Sequence, residues 1–246
     1  MVDNGIYKKS IRIATFDVGP GKILKPSAIF RYQQEVGEEY MLKAGMSYDY
    51  LRQKFGIIFV LSNAKAKVYR LPREHEEITV TTWCSGEDAT KFRRCFKFET
   101  TDGELLVESV TLVPVIDVNS RRIVRPQKVK AFDDFKFNDS LSISFPDPRR
   151  VRMPEETTDC GDRIIRYSDL DYNSHTNNSV YADIITDFLP KEKEGAPIDE
   201  IEIYYRNEMK LGEKISICTA EKDGEYYVSG STDGESKFVG KCILKK

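Results

Sequence analysis

The sequence predicts an α+β protein made of two tandem copies of one unit, each a long helix wrapped by a curved antiparallel sheet. Two observations predict it. Strand-like and turn-like stretches recur in the same order in both halves, and each half carries one helical apolar stripe ahead of its strands. At 246 residues the chain is long enough for each copy to bury a core of its own.

In the first half, Pro26-Ser27 opens a helix, and Ile29, Phe30, Gln33, Val36, Tyr40 and Met41 follow at helical spacing. Next comes YRLPREHEEITVTTW (Tyr69–Trp83), which crosses a polar stretch and then alternates apolar and polar as a strand does. Thr101-Asp102-Gly103-Glu104 then separates two strand-like runs, and Asp-Gly in that setting is a hairpin signal. The second half repeats this order. Val180, Tyr181, Ile184, Ile185, Phe188 and Leu189 recur helically until Pro190 stops them. YRNEMKLGEKISICTA (Tyr205–Ala220) follows, and Thr232-Asp233-Gly234-Glu235 repeats the earlier turn letter for letter. Two such sheets joined edge to edge would cover two exposed edges. Between the halves, Asp117 to about Asp162 is polar and shows no sustained period. We set an N-terminal repeat at 1–130, a connecting segment packed along the surface at 131–160, and a C-terminal repeat at 161–246.

Composition excludes some partners. Charged residues are 32% of the chain, yet the net charge is −2, so nothing draws it globally to nucleic acid, and an anionic partner would need a local patch. Five scattered cysteines without a CxxC fit reduced structural thiols better than a zinc ribbon or a disulfide framework. The N-terminus has no apolar signal core, and no window approaches about 18 apolar residues. We therefore expect a cytoplasmic protein with no membrane partner.

The chemistry-bearing stretch is SDLDYNSHTNNSVY, residues 168–181. Asp169, Asp171 and Asn173 match the first three ligands of a calcium loop, but Ser174 and Val180 stand where the glycine and the bidentate glutamate belong, so a metal is not expected. Two readings stay open on local sequence. The stretch is either a polar turn ending in an Asn177 helix cap, or a site in which Asp171, Asn173 and His175 surround a carbonyl at a helix N-terminus. His175 is one of only two histidines, and the matching place in the first half, around Ile23–Pro26, has none.

The run Asp169–Tyr181 resembles the D-x-D-x-N-x-H-x-N-N signature of the acyl-acyl carrier protein (acyl-ACP) thioesterases. Phe59–Pro72, Ile78–Trp83 and Glu108–Pro126 are similar to further family segments in the right order. The resemblance implies two tandem hot-dog repeats forming a pseudo-dimer, with no cofactor. It implies hydrolysis of fatty acyl-ACP to free fatty acid and holo-ACP in fatty acid biosynthesis. It implies Asp171, Asn173, His175 and Glu208 as the catalytic set: Glu208 and Asp171 activating water, His175 positioning the thioester or sharing the proton, and Asn173 orienting water or carbonyl. N–H groups near Asn177 and Asn178 would complete an oxyanion site. Plant members carry a cysteine after the glutamate; here Met209 cannot act as a nucleophile. Phe59 and Asn63 also depart from the family's Trp and Arg. Taken alone, Glu208 reads better as a strand-edge acid paired to Lys210 or Arg206; its repeat register beside the Asp-Asn-His run favours the catalytic reading.

The family places the acyl chain beneath the first helix and sheet, where Met41, Met46, Tyr48, Leu51, Phe55 and Ile57 are expected to offer an apolar slot. The partner is acidic acyl carrier protein with its acyl-phosphopantetheine arm. Candidate docking charges are Lys91, Arg93 and Arg94; Arg121, Arg122, Arg125, Lys128 and Lys130; and Arg149, Arg150 and Arg152. The alternatives are an acyl-CoA thioesterase, a hot-dog hydratase or dehydratase, and a non-catalytic acyl-carrier-binding protein. Either a monomer or a homodimer is compatible with two repeats in one chain.

Overall fold

A computed structural model describes residues 2–245 apart from 88 and 89. The first repeat holds β1 (Ile6–Arg12), α1 (Pro26–Lys43), α2 (Tyr48–Phe55), β2 (Ile57–Phe59), β3 (Asn63–Val68), β4 (Glu77–Glu87), β5 (Lys91–Thr100), β6 (Leu105–Asp117) and β7 (Ile123–Val124). The second holds β8 (Thr158–Ile164), α3 (Val180–Asp187), β9 (Ile198–Tyr205), β10 (Lys214–Lys222), β11 (Glu225–Thr232) and β12 (Glu235–Leu244).

The main strands form one sheet ordered β1-β4-β5-β6-β3-β9-β12-β11-β10-β8, with β2 and β7 pairing onto β6. Each half reads the same way from its outer edge inward, and the two inner strands meet antiparallel, Ala64 opposite Ile203 and Ala66 opposite Ile201. The fold is therefore two hot-dog repeats joined edge to edge. Lys65 and Glu200 pair across the seam at 2.8 Å, with Lys67 at 3.9 Å from the same glutamate.

The predicted stripe of α1 is its buried face: Ile29, Phe30, Gln33, Val36, Tyr40 and Met41 are all covered. The second helix is shorter than its stripe suggests. It begins at Val180, with Ser179 as the preceding residue rather than Asn177, and Phe188 already leaves helical geometry. The sequence reading had no α2. Its signals are local ones: Ser47 accepts the N–H of Tyr50, and Gly56 ends the helix at φ 64°.

Matched backbone hydrogen bonds give the residue-by-residue equivalence of the repeats. Leu24 donates to Pro72 as Thr176 does to Met209, Lys25 to Asp17 as Asn177 to Asp169, and Ala28 to Lys25 as Val180 to Asn177. In this register Gly19, Gly21, Ile23 and Leu71 stand where the second repeat has Asp171, Asn173, His175 and Glu208.

The connecting ribbon, 133–157, has no helix or strand but is firmly packed. Phe135 lies against Phe92 on the helix side of the sheet, their ring centroids 5.3 Å apart. Farther on, Phe145 closes a separate small core with Trp83, Cys95, Val110 and Leu112. The Arg149 N–H donates to Glu202 Oε1 at 2.7 Å, and Asn63 Nδ2 donates to the Arg149 carbonyl at 3.1 Å. Asn63 thus ties the ribbon to the seam.

Candidate active site

The loop after β8 is closed on itself before it meets anything else. Asp171 Oδ1 accepts the N–H groups of Asn173 and His175 at 2.8 and 3.2 Å. Its own N–H donates to the His175 carbonyl at 2.8 Å. Ser174 turns the chain at φ 63°. Asp, Asn and Ser are the residue types that hold such turns through their own side chains. Below the turn, the Thr176 N–H and hydroxyl both donate to the Met209 carbonyl, at 2.9 and 3.0 Å. That stitch lays the loop alongside the stretch following β9 and brings His175 Nε2 to 3.1 Å from Glu208 Oε2. Met209 points the other way and is wholly buried. Glu208 therefore contacts the imidazole; among the described residues it makes no ion pair with Lys210 or Arg206.

Asp171, Asn173, His175 and Glu208 all line one cleft of about 610 Å³, whose opposite wall comes from the first repeat through Tyr48, Arg52, Phe59, Leu61 and Arg121. A second, mostly apolar cavity of about 180 Å³ lies between α1 and β4–β6. The two share Phe59, Leu61 and Asn178. A carboxylate–imidazole pair in one cleft therefore lies next to a mostly apolar cavity, an arrangement able to activate water beside an apolar chain.

Several expectations need correction. Of the six residues expected to form the slot, only Met41 lines the apolar cavity. Tyr48 lines the polar cleft instead. Leu51 and Ile57 are spent in the core, where Met46 and Phe55 also pack. The walls come from Phe30, Phe59, Phe92, Phe96 and Phe135, which reach it from α1, from strand alternation along β2 and β5, and from the ribbon. The Asn177 N–H is taken by the Asp169 carbonyl at 2.8 Å, so of the two proposed oxyanion positions only Asn178 is left facing the cleft. Arg94 is no docking charge: alternation along β5 turns it inward, its guanidinium 4.5 Å from the Tyr40 ring centroid.

Sequence reasoning missed two tyrosines. Tyr205 donates its hydroxyl to the Asn178 carbonyl at 3.1 Å, and its ring meets Tyr181 at 4.9 Å. Burial pushes both phenols up, so they stay neutral donors. The available signal was the Tyr-Arg pair ending β9, read only as a repeat marker. Tyr48 of α2 and Tyr172 of the loop after β8 touch edge to face at 6.0 Å, bridging the repeats at this cleft. Among the described residues no three His, Cys, Asp or Glu side chains are grouped to hold a metal ion, and no helix is long and apolar enough to cross a membrane.

Comparison with known proteins places this geometry in context. The family model for the acyl-ACP thioesterase N-terminal domain matches residues 4–130, and that for the C-terminal domain matches residues 155–240. The chain is 25% identical over 249 residues to oleoyl-acyl carrier protein thioesterase of Coriandrum sativum, covering 92% of this chain and 65% of the relative. It is 23% identical over 239 residues to acyl-[acyl-carrier-protein] hydrolase FATB2 of Cuphea viscosissima, covering 92% of this chain and 58% of that one. Both relatives are named chloroplastic, and the chain spans less than two thirds of the length of each. Among solved structures, an acyl-ACP thioesterase from Bacteroides thetaiotaomicron superposes with a TM-score of 0.89 at 20% identity, covering 98% of both chains. The 12:0-ACP thioesterase of Umbellularia californica gives 0.83 at 18% identity, covering 98% of this chain and 97% of that one.

Proposed function

Because this chain belongs to the acyl-ACP thioesterase family, we propose that it hydrolyses the thioester of fatty acyl-ACP, releasing free fatty acid and holo-ACP in fatty acid biosynthesis. The observation that carries the reading is the 3.1 Å His175–Glu208 pair in a cleft that shares a wall with an apolar cavity. Water held at that pair attacks the thioester carbonyl carbon, and its proton passes to the imidazole–carboxylate pair. The carbon–sulfur bond then breaks, and the departing phosphopantetheine thiolate takes that proton. Glu208 and His175 act as the base together; Asn173 orients the water or the carbonyl, and the Asn178 N–H faces the developing oxyanion. Asp171 has one oxygen committed to two backbone N–H groups, so its part is to hold the loop in which Asn173 and His175 stand.

The carrier protein docks, in this reading, on the exposed series Arg121, Arg122, Arg125, Lys128 and Lys130, because Arg121 itself lines the cleft. Arg93 is less suited, being paired with Asp147 at 2.5 Å. A cytoplasmic location is part of the proposal, supported by cysteines that are all free thiols.

The test is product analysis of purified protein given acyl-ACPs, acyl-CoAs and an enoyl thioester. Release of fatty acid from acyl-ACP is expected. His175→Ala, Asn173→Ala and Glu208→Ala should each lose tenfold or more, toward the 10²–10⁴ typical of a positioned base, without a change in melting. Near-parental rates in all three would remove the assignment, and activity confined to acyl-CoA or the enoyl substrate would favour another hot-dog enzyme. Raising salt in the same assays should lift KM for acyl-ACP far more than for a neutral thioester analogue; equal sensitivity would remove the docking surface.

A further inference from the structure

Gln33 has no part in the chemistry above, yet it occupies an improbable place. It lies in the buried stripe of α1, is 3% exposed, and lines the apolar cavity. Among the described residues neither its Nε2 nor its Oε1 has a hydrogen-bond partner. A buried amide left unpaired is expensive, and native proteins rarely keep one without a use. Further polar residues line the same cavity, Gln34, Glu38 and Asn178 among them, and two of them matter here, Arg94 and Thr111. Arg94 points its guanidinium inward, with Nη2 at 3.1 Å from Met41 Sδ and a buried Nη1 that has no partner among the described residues. Thr111 faces in from β6.

Packing does not demand these residues, because the other repeat solves the same problem without them. In the register given by the matched backbone bonds, the counterpart of Gln33 is Ile185. In the register of the repeated Thr-Asp-Gly-Glu turn, the counterpart of Thr111 is Cys242. Ile185 and Cys242 are fully buried. Ile185 presses so closely on β12 that a Cβ added at Gly240 would come within 2.2 Å of its Cδ1. One helix is clamped to its sheet by hydrocarbon; over the other sheet lies a cavity lined by the unpaired Gln33 amide of α1 and by Arg94 of β5, whose buried Nη1 has no partner among the described residues.

We infer that this cavity takes an acyl chain carrying its own oxygen, a hydroxyl or an oxo group, which Gln33 and Arg94 recognise. A hydroxyl donates to Gln33 Oε1 while accepting from Nε2 or from Arg94 Nη1; an oxo group accepts from either nitrogen donor. The inference rests on the thioesterase reading and narrows its substrate class.

The experiment compares kcat/KM for ACP thioesters of one chain length: unsubstituted, hydroxylated at successive carbons, and the corresponding oxo chains. It is run on the parent and on Gln33→Leu, which keeps the size of the side chain and removes both polar atoms. The parent should prefer at least one oxygenated chain by about tenfold or more, since a site with buried polar groups discriminates against a ligand that leaves them unpaired. Gln33→Leu should abolish that preference and raise affinity for the plain chain. Dissociation constants for non-hydrolysable thioether analogues of the same chains give a second readout. If no thioester is cleaved but the thioethers still bind with the oxygenated preference, the hydrolase reading fails and the pocket assignment stands. If the plain chain is favoured or equal in both readouts, and Gln33→Leu leaves the ratio unchanged, ordered water alone meets these groups and the inference is overturned.

Discussion

The two halves of this molecule share a backbone and differ in what they hang on it. At the turn ahead of each helix, the same pattern of backbone hydrogen bonds carries Gly19, Gly21 and Ile23 in one repeat and Asp171, Asn173 and His175 in the other. Across from it, Leu71 answers Glu208. Beneath the helices the exchange runs in reverse: the repeat with the polar turn has the hydrocarbon-packed helix, and the repeat with the stripped turn has the cavity. A pair of identical subunits cannot divide labour this way, because every change would appear in both. Linking the copies in one chain lets one hold the ionisable groups while the other holds the slot, with the shared wall of Phe59, Leu61 and Asn178 between them.

The comparison is broken most directly by making the second repeat resemble the first. His175→Ile with Glu208→Leu installs the first-repeat residues at the cleft. Turnover should fall by about 10²–10⁴, measured by fatty acid release, while the melting transition stays in place. Retained turnover would mean that the difference between the turns is not the functional one. Next in size is the contact at Gly240. Gly240→Ala forces Ile185 off its seat and should cost about 1–3 kcal/mol in denaturant unfolding. An unchanged midpoint would show that α3 is as loosely seated as α1.

The smallest effect concerns something the repeats have in common. Glu76 and its counterpart Glu213 each accept the N–H at the start of the turn before a strand, from Arg73 and Lys210, both at 2.8 Å. The Arg70 guanidinium holds the Glu76 carboxyl below its ordinary 4.5. For Glu213, burial pushes up but is outweighed by Lys237 and the Lys210 N–H, so it too lies below 4.5. A depressed carboxylate contributes stability that is fully present above its unfolded value and disappears as pH falls through its folded one. Glu76→Gln or Glu213→Gln should therefore lower stability at neutral pH by about 1 kcal/mol or less, given partial solvent screening, and flatten the loss below pH 4.5. Urea midpoints at several pH values decide it. An acid limb as steep in both variants as in the parent would sharpen the contrast by removing this shared clamp.

Much of the fold was legible because duplication prints the same signals twice: the apolar stripe, the Tyr-Arg strand and the Thr-Asp-Gly-Glu turn recur in order, and each is a local pattern. The meeting of His175 and Glu208 was accessible only through resemblance. No local rule says that Thr176 will donate to Met209 across more than thirty residues. The slot is hidden from the sequence for the opposite reason. A stretch such as Met46–Ile57 looks suitable for a ligand by residue type, but residue type cannot distinguish lining a void from filling one. Arg94 reads as surface beside the charged Lys91 and Arg93, whereas strand alternation separates it from Arg93 by a whole face of the sheet.

The seam has a consequence in time as well as in space. A ribosome delivers β3 long before β9 exists, so the nascent first repeat must wait with the outer edge of its inner strand unpaired. That strand reads NAKAKV, and ammonium groups on an open strand discourage intruders from zipping onto it. When β9 emerges, Glu200 meets Lys65 and Lys67. The charges that guarded the waiting edge then become the means of choosing its rightful neighbour.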